Sequence, residues 1–419
     1  MIRRPVVVLG LLTALNLLNY LDRFVLSAVL SPIEHDLSLS HGVAGLLGTI
    51  FLVGYFVTSP IFGTLADRGK RTGLLAMGIL VWSVATIACG FATGVVSLAL
   101  ARVAVGVGEA SYATIAPTMI DDLAPRAHKS TWLAIFYSAS PIGSALGYVT
   151  GGLVEKSHGW RAAFFVAGGP GLALAVACLF LVDPKRGELA KPGRMLDTVR
   201  PLLRIPLYVR AVLGYAAYTF AVGGFGYWGP TYLFQRFEST GLTLRGANLG
   251  MGAVTVLGGA IGTAIGGFWG DRAVRAREGA AGGGAPDDAA ESSRKVKRLL
   301  RVCSVGSLIG APLAAIAILA PTPILFFAAF FCCEVAVFLS TSPINAAVLA
   351  AVPVQVRASA MALCIFGIHA LGDLWSPPGV GALADVSSMR VAMLLLPVAI
   401  LGSAIVWWPR SPAARTQTA

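Results

Sequence analysis

Charge is what this sequence most lacks. Aspartate, glutamate, lysine and arginine together supply 12% of its 419 residues, where soluble domains carry about 25%. That deficit excludes a soluble globular fold of this length. Histidine is also scarce: the five (His35, His41, His128, His158, His369) are scattered, with no spacing that would hold a metal. The six cysteines (Cys89, Cys178, Cys303, Cys332, Cys333, Cys364) lie in or beside apolar runs and read as packing residues, not as a disulfide framework. No Gly-x-Ser-x-Gly, His-Glu-x-x-His or phosphate-cradling glycine loop is present, and Ser111 in "GVGEAS" sits mid-helix, not at a strand-to-helix turn. An enzyme is therefore not expected, nor any cofactor. The formal charge of +12 lacks the motif or aromatic context of a nucleic-acid footprint, so no nucleic-acid partner is expected. The opening apolar run to Ile33 exceeds the about 7–15 residues of a signal-peptide core, and reads as a retained first span.

What is abundant is apolar: 56% hydrophobic residues and a mean hydropathy of +0.76. Runs of about 20 apolar residues are expected to span a bilayer as helices. Twelve such stretches occur, near 5–33, 41–66, 72–92, 95–122, 128–154, 160–182, 207–233, 246–270, 298–320, 323–352, 357–384 and 390–408. A basic, proline-containing segment separates the first six from the last six. The expected organisation is an N-terminal six-helix bundle over 1–182, a cytoplasmic linker over 183–206, and a C-terminal six-helix bundle over 207–419. A Gly/Ala-rich cytoplasmic loop near 273–296 is expected to be flexible. The fold class is thus an all-α membrane protein of twelve helices in two pseudo-symmetric bundles. Of the 32 basic residues, 25 fall on one side of these spans and five (Lys156, Arg161, Arg236, Arg245, Arg390) on the other. By the positive-inside rule both termini are expected in the cytoplasm, the membrane being a plasma or bacterial inner membrane.

The two halves repeat. "GTLADRGKR" ends the second apolar stretch and "GGFWGDR" the eighth, so Gly63 to Asp67–Arg68 and Gly267 to Asp271–Arg272 share one spacing at equivalent places. Such parallel repeats are described for transporters of the major facilitator type. The chain resembles that superfamily nearly throughout. Gly63, Asp67, Arg68 and Arg71 match its loop signature, although Gly69–Lys70 leaves the second glycine one residue out of place. "RVAVGVGEA" from Arg102 resembles its helix-four signature, and "SPIGSALGYVTGG" from Ser140 loosely resembles its helix-five signature. Within it, "NYLDRF" (19–24), "GEASYATIAPTMIDDL" (108–123) and "HALGDLWSPPGVGALAD" (369–385) resemble the Spinster family. That resemblance implies alternating access and export of amphiphilic anionic lipids, lysophospholipids or sphingosine-1-phosphate, with proton coupling. It also implies function as a monomer among membrane lipids. A small drug or organic anion is the competing substrate.

Two acids and two arginines interrupt the apolar runs of helices expected to line the central cavity. Asp22 and Arg23 lie on the first; Arg102 and Glu109, seven apart and so on one face, lie on the fourth. Charges inside a span are functional candidates by default. Asp22 and Glu109 are expected to be proton-responsive, Arg23 and Arg102 to hold an anionic headgroup; a static ion-pair network is the alternative. Glu334 and the i, i+4 pair His369 and Asp373 are further substrate-binding candidates, as are Tyr112, Tyr218 and Phe225, although a structural His–Asp bond would read the same way. Four glycines from Gly223 to Gly229 suggest either a bend in the seventh helix or close packing, and Trp228 reads as part of an interfacial aromatic belt. Gly63, Asp67, Arg68, Arg71, Asp271 and Arg272 are expected to form a cytoplasmic gate, unless they are merely solvated loop charges.

Overall fold

A computed structural model of the chain describes residues 4–68, 70–125, 129–183, 195–275, 288–353 and 356–409. Helix follows helix through these segments. The first is α1 (Pro5–Ala28), continued after Val29 by Leu30–Asp36. Next come α2 (His41–Thr49 and Phe51–Arg68), α3 (Arg71–Gly90) and α4 (Val95–Leu123). One helical run, Lys129–Leu179, is two legs, α5 and α6, that meet at Gly159. There φ is +77°, a value in which a Cβ is strained, so glycine makes the reversal. The second six are α7 (Pro206–Phe237), α8 (Leu244–Arg275), α9 (Asp288–Leu319), α10 (Pro323–Phe338 and Thr341–Ala350), α11 (Arg357–Ile368 through Ser376–Val386) and α12 (Met389–Met393 and Leu395–Trp407).

Ten stretches among the described residues are long and apolar enough to cross a membrane. One of them, 45 residues long, is the α5–α6 pair, and α7 is long enough but too rich in polar and small residues to be counted. Together they correspond to the twelve expected spans. The loop expected over 273–296 is shorter than that: α8 runs to Arg275 and α9 begins at Asp288. Its polar stretch 288–301 is rich in residues that favour helix, and it extends α9 beyond the apolar span. Residues 276–287 lie outside the described part. Within the linker, Met195–Leu203 is a short helix.

The helices pack through glycine, which lets backbones approach where no side chain intervenes. A Cβ on Gly106 of α4 would stand 1.8 Å from the Phe51 carbonyl oxygen of α2, and one on Gly266 of α8 would stand 2.0 Å from the Leu339 carbonyl at α10. The same pair of helices is joined in each half, with the glycine on α4 in the first and on α8 in the second. α7 is a continuous helix; Gly223 packs on Asp373 and Gly224 on Leu396, so its glycines serve close packing.

Several hydrogen bonds join the first six helices to the last six at the end of the bundle distal to both termini. Ser27 donates to the Gly226 and Tyr227 carbonyls at 2.8 and 2.5 Å, and Tyr148 donates to Gly226 at 2.5 Å. Tyr227 donates to Ala44 at 2.5 Å, and the Asn248 amide to Ala28 at 2.9 Å. Asp385 accepts the backbone N–H groups of both His41 and Gly42 at 2.8 Å. The distal end is therefore closed.

Candidate substrate and coupling site

On α1 a polar stripe at helical spacing (Asn16, Asn19, Arg23, Ser27) interrupts the apolar surface. Asn16 anchors its terminal end, donating to the Phe136 carbonyl at 2.9 Å and to Ser140 at 3.2 Å. One turn beyond Asn19, Arg23 crosses to α4. Its Nε and Nη2 both donate to Oε2 of Glu109, at 2.9 and 2.6 Å. Glu109 is fully buried, while the Arg23 side chain is 21% exposed. The other oxygen, Oε1, is buried with no partner.

Phe51 of α2 stands beside both arginines. Its ring centroid is 5.0 Å from the Arg23 guanidinium carbon and 5.1 Å from that of Arg102. Tyr20 adds a second ring 5.5 Å from Arg23. Arg102 itself is buried and donates from Nε to the Leu47 carbonyl at 3.4 Å. Cations over aromatic faces are attracted by the ring quadrupole, more so when desolvated.

Asp22 goes elsewhere. Its Oδ2 accepts the Trp82 indole N–H and the Thr86 hydroxyl, the latter at 3.0 Å, both from α3, and Oδ1 is buried without a partner. The four-charge cluster expected from sequence is thus one direct ion pair, Arg23–Glu109, with Asp22 and Arg102 each bonded to a neighbouring helix. The reason is helical geometry: adjacent residues point about 100° apart, so Asp22 and Arg23 cannot share a face. Trp82 and Thr86, four apart on α3, carry only a weak signal in the sequence, two donors at i and i+4 on an apolar helix.

Tyr112 lies inside the first six helices, buried, donating to the Leu12 carbonyl at 3.0 Å. Tyr218 and Phe225 are buried among the last six. Tyr218 is 3.4 Å from the Thr341 hydroxyl, and Phe225 rests on Phe330 with ring centroids 5.0 Å apart. Glu334 on α10 is buried against Gly258 of α8, and its Oε2 has no partner. His369 and Asp373 bond to each other at 2.9–3.0 Å, both about a quarter exposed. They bracket a π-helical turn of α11, His369–Asp373. A turn of that kind strains the backbone ladder and often marks a functional position. Thr219 of α7 braces it by donating to the Ile368 carbonyl at 3.0 Å.

Trp228 is not in an interfacial belt. It is fully buried in the distal closure, donating to the Pro377 carbonyl at 2.9 Å with its ring 5.7 Å from that of His41. Of the gate residues, Arg71 is buried and pairs with Asp122 at 2.6 Å and Asp183 at 3.0 Å, both in the first half of the chain. Gly63 lies near Thr114 of α4, and Asp271 and Arg272 are exposed at the terminal end of α8. The Asp67 and Arg68 side chains lie outside the described residues.

The sequence model of the Major Facilitator Superfamily matches residues 12–372. A probable sphingolipid transporter, spinster homolog 2 of Arabidopsis thaliana, is 33% identical across 96% of this chain and 86% of its own. This chain belongs to the Spinster family of the major facilitator superfamily. The sphingosine-1-phosphate transporter SPNS2 of Danio rerio is likewise 33% identical, over 91% of this chain and 77% of its own. Among solved structures, a bacterial homolog of the human lysosomal transporter Spinster, described as inward-facing and unoccupied, superimposes with a TM-score of 0.81. It is 21% identical and covers 96% of both chains. This Spinster-family chain is accordingly a multi-span membrane transporter and not an enzyme.

Proposed function

We propose that this chain carries an anionic amphiphilic lipid, of lysophospholipid or sphingosine-1-phosphate type, across a plasma or bacterial inner membrane by proton-coupled alternating access. The observation that carries this is the Arg23–Glu109 pair: a partly exposed guanidinium held by a carboxylate with one oxygen to spare. A proton taken by Glu109 removes the charge that holds Arg23. The arginine can then turn its planar fork to a phosphate headgroup, which it grips in bidentate fashion. Loss of the headgroup lets Arg23 return to Glu109 and expels the proton. Proton and headgroup thus compete for one ion pair, and that competition is a coupling device. Tyr20 and Phe51 beside the guanidinium, and the apolar helices around them, suit an amphiphile. Relatives that are named sphingolipid and sphingosine-1-phosphate transporters support the same substrate class.

Asp22 acts as the second proton-responsive acid and Arg102 as its charge partner, while Glu334, His369 and Asp373 contact the substrate from the last six helices. The basic-residue bias supports cytoplasmic termini, which makes the closed distal end the outer one. In the opposite access state, Asp67–Arg68 and Asp271–Arg272 close the cytoplasmic end. The transporter works as a monomer. Flux into proteoliposomes tests the reading: a fluorescent lysolipid should move in response to an imposed pH gradient, and soluble organic anions should not compete. Transport of the soluble anions in place of the lysolipid would refute it.

A further inference from the structure

We propose that a crevice beside the linker helix, remote from the transport site, binds an anionic phospholipid of the surrounding bilayer. The crevice, of about 420 Å³, lies between the linker helix, the first turns of α7 and the end of α12; Leu203, Arg204, Pro206, Val209, Arg210 and Val406 line it. Its position follows from the helices that form it. Pro206 begins α7 and Trp407 ends α12, so both are close to where hydrocarbon gives way to headgroups. Trp408, 43% exposed with the Arg301 guanidinium 5.9 Å over its ring, marks the same boundary, where amphipathic aromatics concentrate.

The two arginines in the crevice differ. Arg210 is committed to the protein: its Nε donates to the Val406 carbonyl at 2.5 Å and its Nη2 to the Trp408 carbonyl, which caps the end of α12. Arg204 is exposed and has no side-chain partner among the described residues, and the same holds for Arg200, one turn earlier on the linker helix. Leu202 is buried and pins that helix to the bundle, whereas Leu203 and Leu213 are 58% and 47% exposed. The crevice therefore offers apolar lips, Leu203 and Leu213, and one uncommitted guanidinium, that of Arg204, with Arg200 one turn away on the linker helix. An amphiphile with acyl chains and a phosphate meets both requirements. A soluble phosphate would leave the leucines uncovered, and a zwitterionic lipid would leave the arginines uncompensated. Juxtamembrane basic residues attract anionic leaflets, and here they stand on or just after a short amphipathic helix of the kind that suits an interface.

Native mass spectrometry of the purified full chain, offered equal diacyl phosphatidylglycerol and phosphatidylcholine, tests this. The wild type should retain phosphatidylglycerol preferentially. Arg200→Gln and Arg204→Gln should each weaken that retention, on the order of fivefold per arginine removed, and the double variant should abolish the preference. Arg23→Gln should keep it, which separates this crevice from the transport site and leaves the result independent of the substrate reading. The proposal fails if no lipid is preferred, or if the double variant retains the preference. It also fails if glycerol phosphate competes as well as the lipid, or if Arg23→Gln alone removes the bound lipid.

Discussion

Arg23 gives two hydrogen bonds to a single oxygen of Glu109 and leaves the other oxygen buried and unpaired. Buried polar atoms are normally satisfied. An orphaned carboxylate oxygen beside a partly exposed arginine is the feature on which the proposed coupling rests.

Glu109→Gln therefore separates coupling from binding. The variant keeps the shape but cannot ionise, so lysolipid should still bind while flux loses its dependence on the pH gradient. Breaking a buried pair costs roughly 3–5 kcal/mol, and partial exposure of Arg23 puts this case at the low end. Thermal melting measures that cost separately. Wild-type gradient dependence in a well-folded variant would return the pair to a static role.

Asp22 is hydrogen-bonded by Trp82 and Thr86 of α3 and, among the described residues, by no side chain of α4. Trp82→Phe removes a donor to a buried carboxylate, a loss of roughly 1.5–3 kcal/mol for a hydrogen bond to a charged group. The ionised form is the one that needs that donor. The pH profile of transport should change in Trp82→Phe, and pH dependence should be lost in Asp22→Asn. A flux profile across pH that is unchanged in both would remove Asp22 from the coupling scheme.

At the distal end, Asp385 of α11 caps the start of α2 across the interface between the first and last six helices, a contact that must break for that end to open. Losing such a cap costs about 1 kcal/mol, which is roughly a fivefold change in the ratio of closed to open. Asp385→Ala should raise the distal-open population by that factor, as read by spin-label distances between the starts of α2 and the end of α11. Distance distributions identical to wild type would show that the cap does not control access.

Asp36, outside the spans, is stabilised as an anion. The Arg161 guanidinium, then the Trp160 indole, donate to it and hold its pKa below the ordinary 3.8. A lowered folded-state pKa means the contribution is present above the unfolded value and lost as pH falls through the folded one. Asp36→Asn should melt below wild type at pH 6, and the difference should shrink below about pH 4, near the reference value for aspartate. A melting difference that stays constant from pH 6 to pH 3 would deny the ion pair any role.

Much of this protein is written locally. Scarce charge and runs of about 20 apolar residues dictate spanning helices, because backbone groups in lipid must be satisfied within the segment. The repeated Gly63–Asp67 and Gly267–Asp271 spacings announce two related halves, and glycine brings together the same helix pairs in each, α2 with α4 and α8 with α10. That Asp22, Arg23, Arg102 and Glu109 interrupt those runs was also legible. Which of them touch was not. Adjacent positions on one helix point about 100° apart, so the rotation of α1 against α3 and α4 sends Arg23 to Glu109 and Asp22 to Trp82. Packing likewise turned Tyr112 inward to Leu12 and drew Trp228 into the distal closure. The cap that Asp385 places on His41 and Gly42 joins residues more than 340 positions apart. No local pattern encodes such a contact, because it exists only once two helices from opposite halves have been brought end to side by the whole bundle.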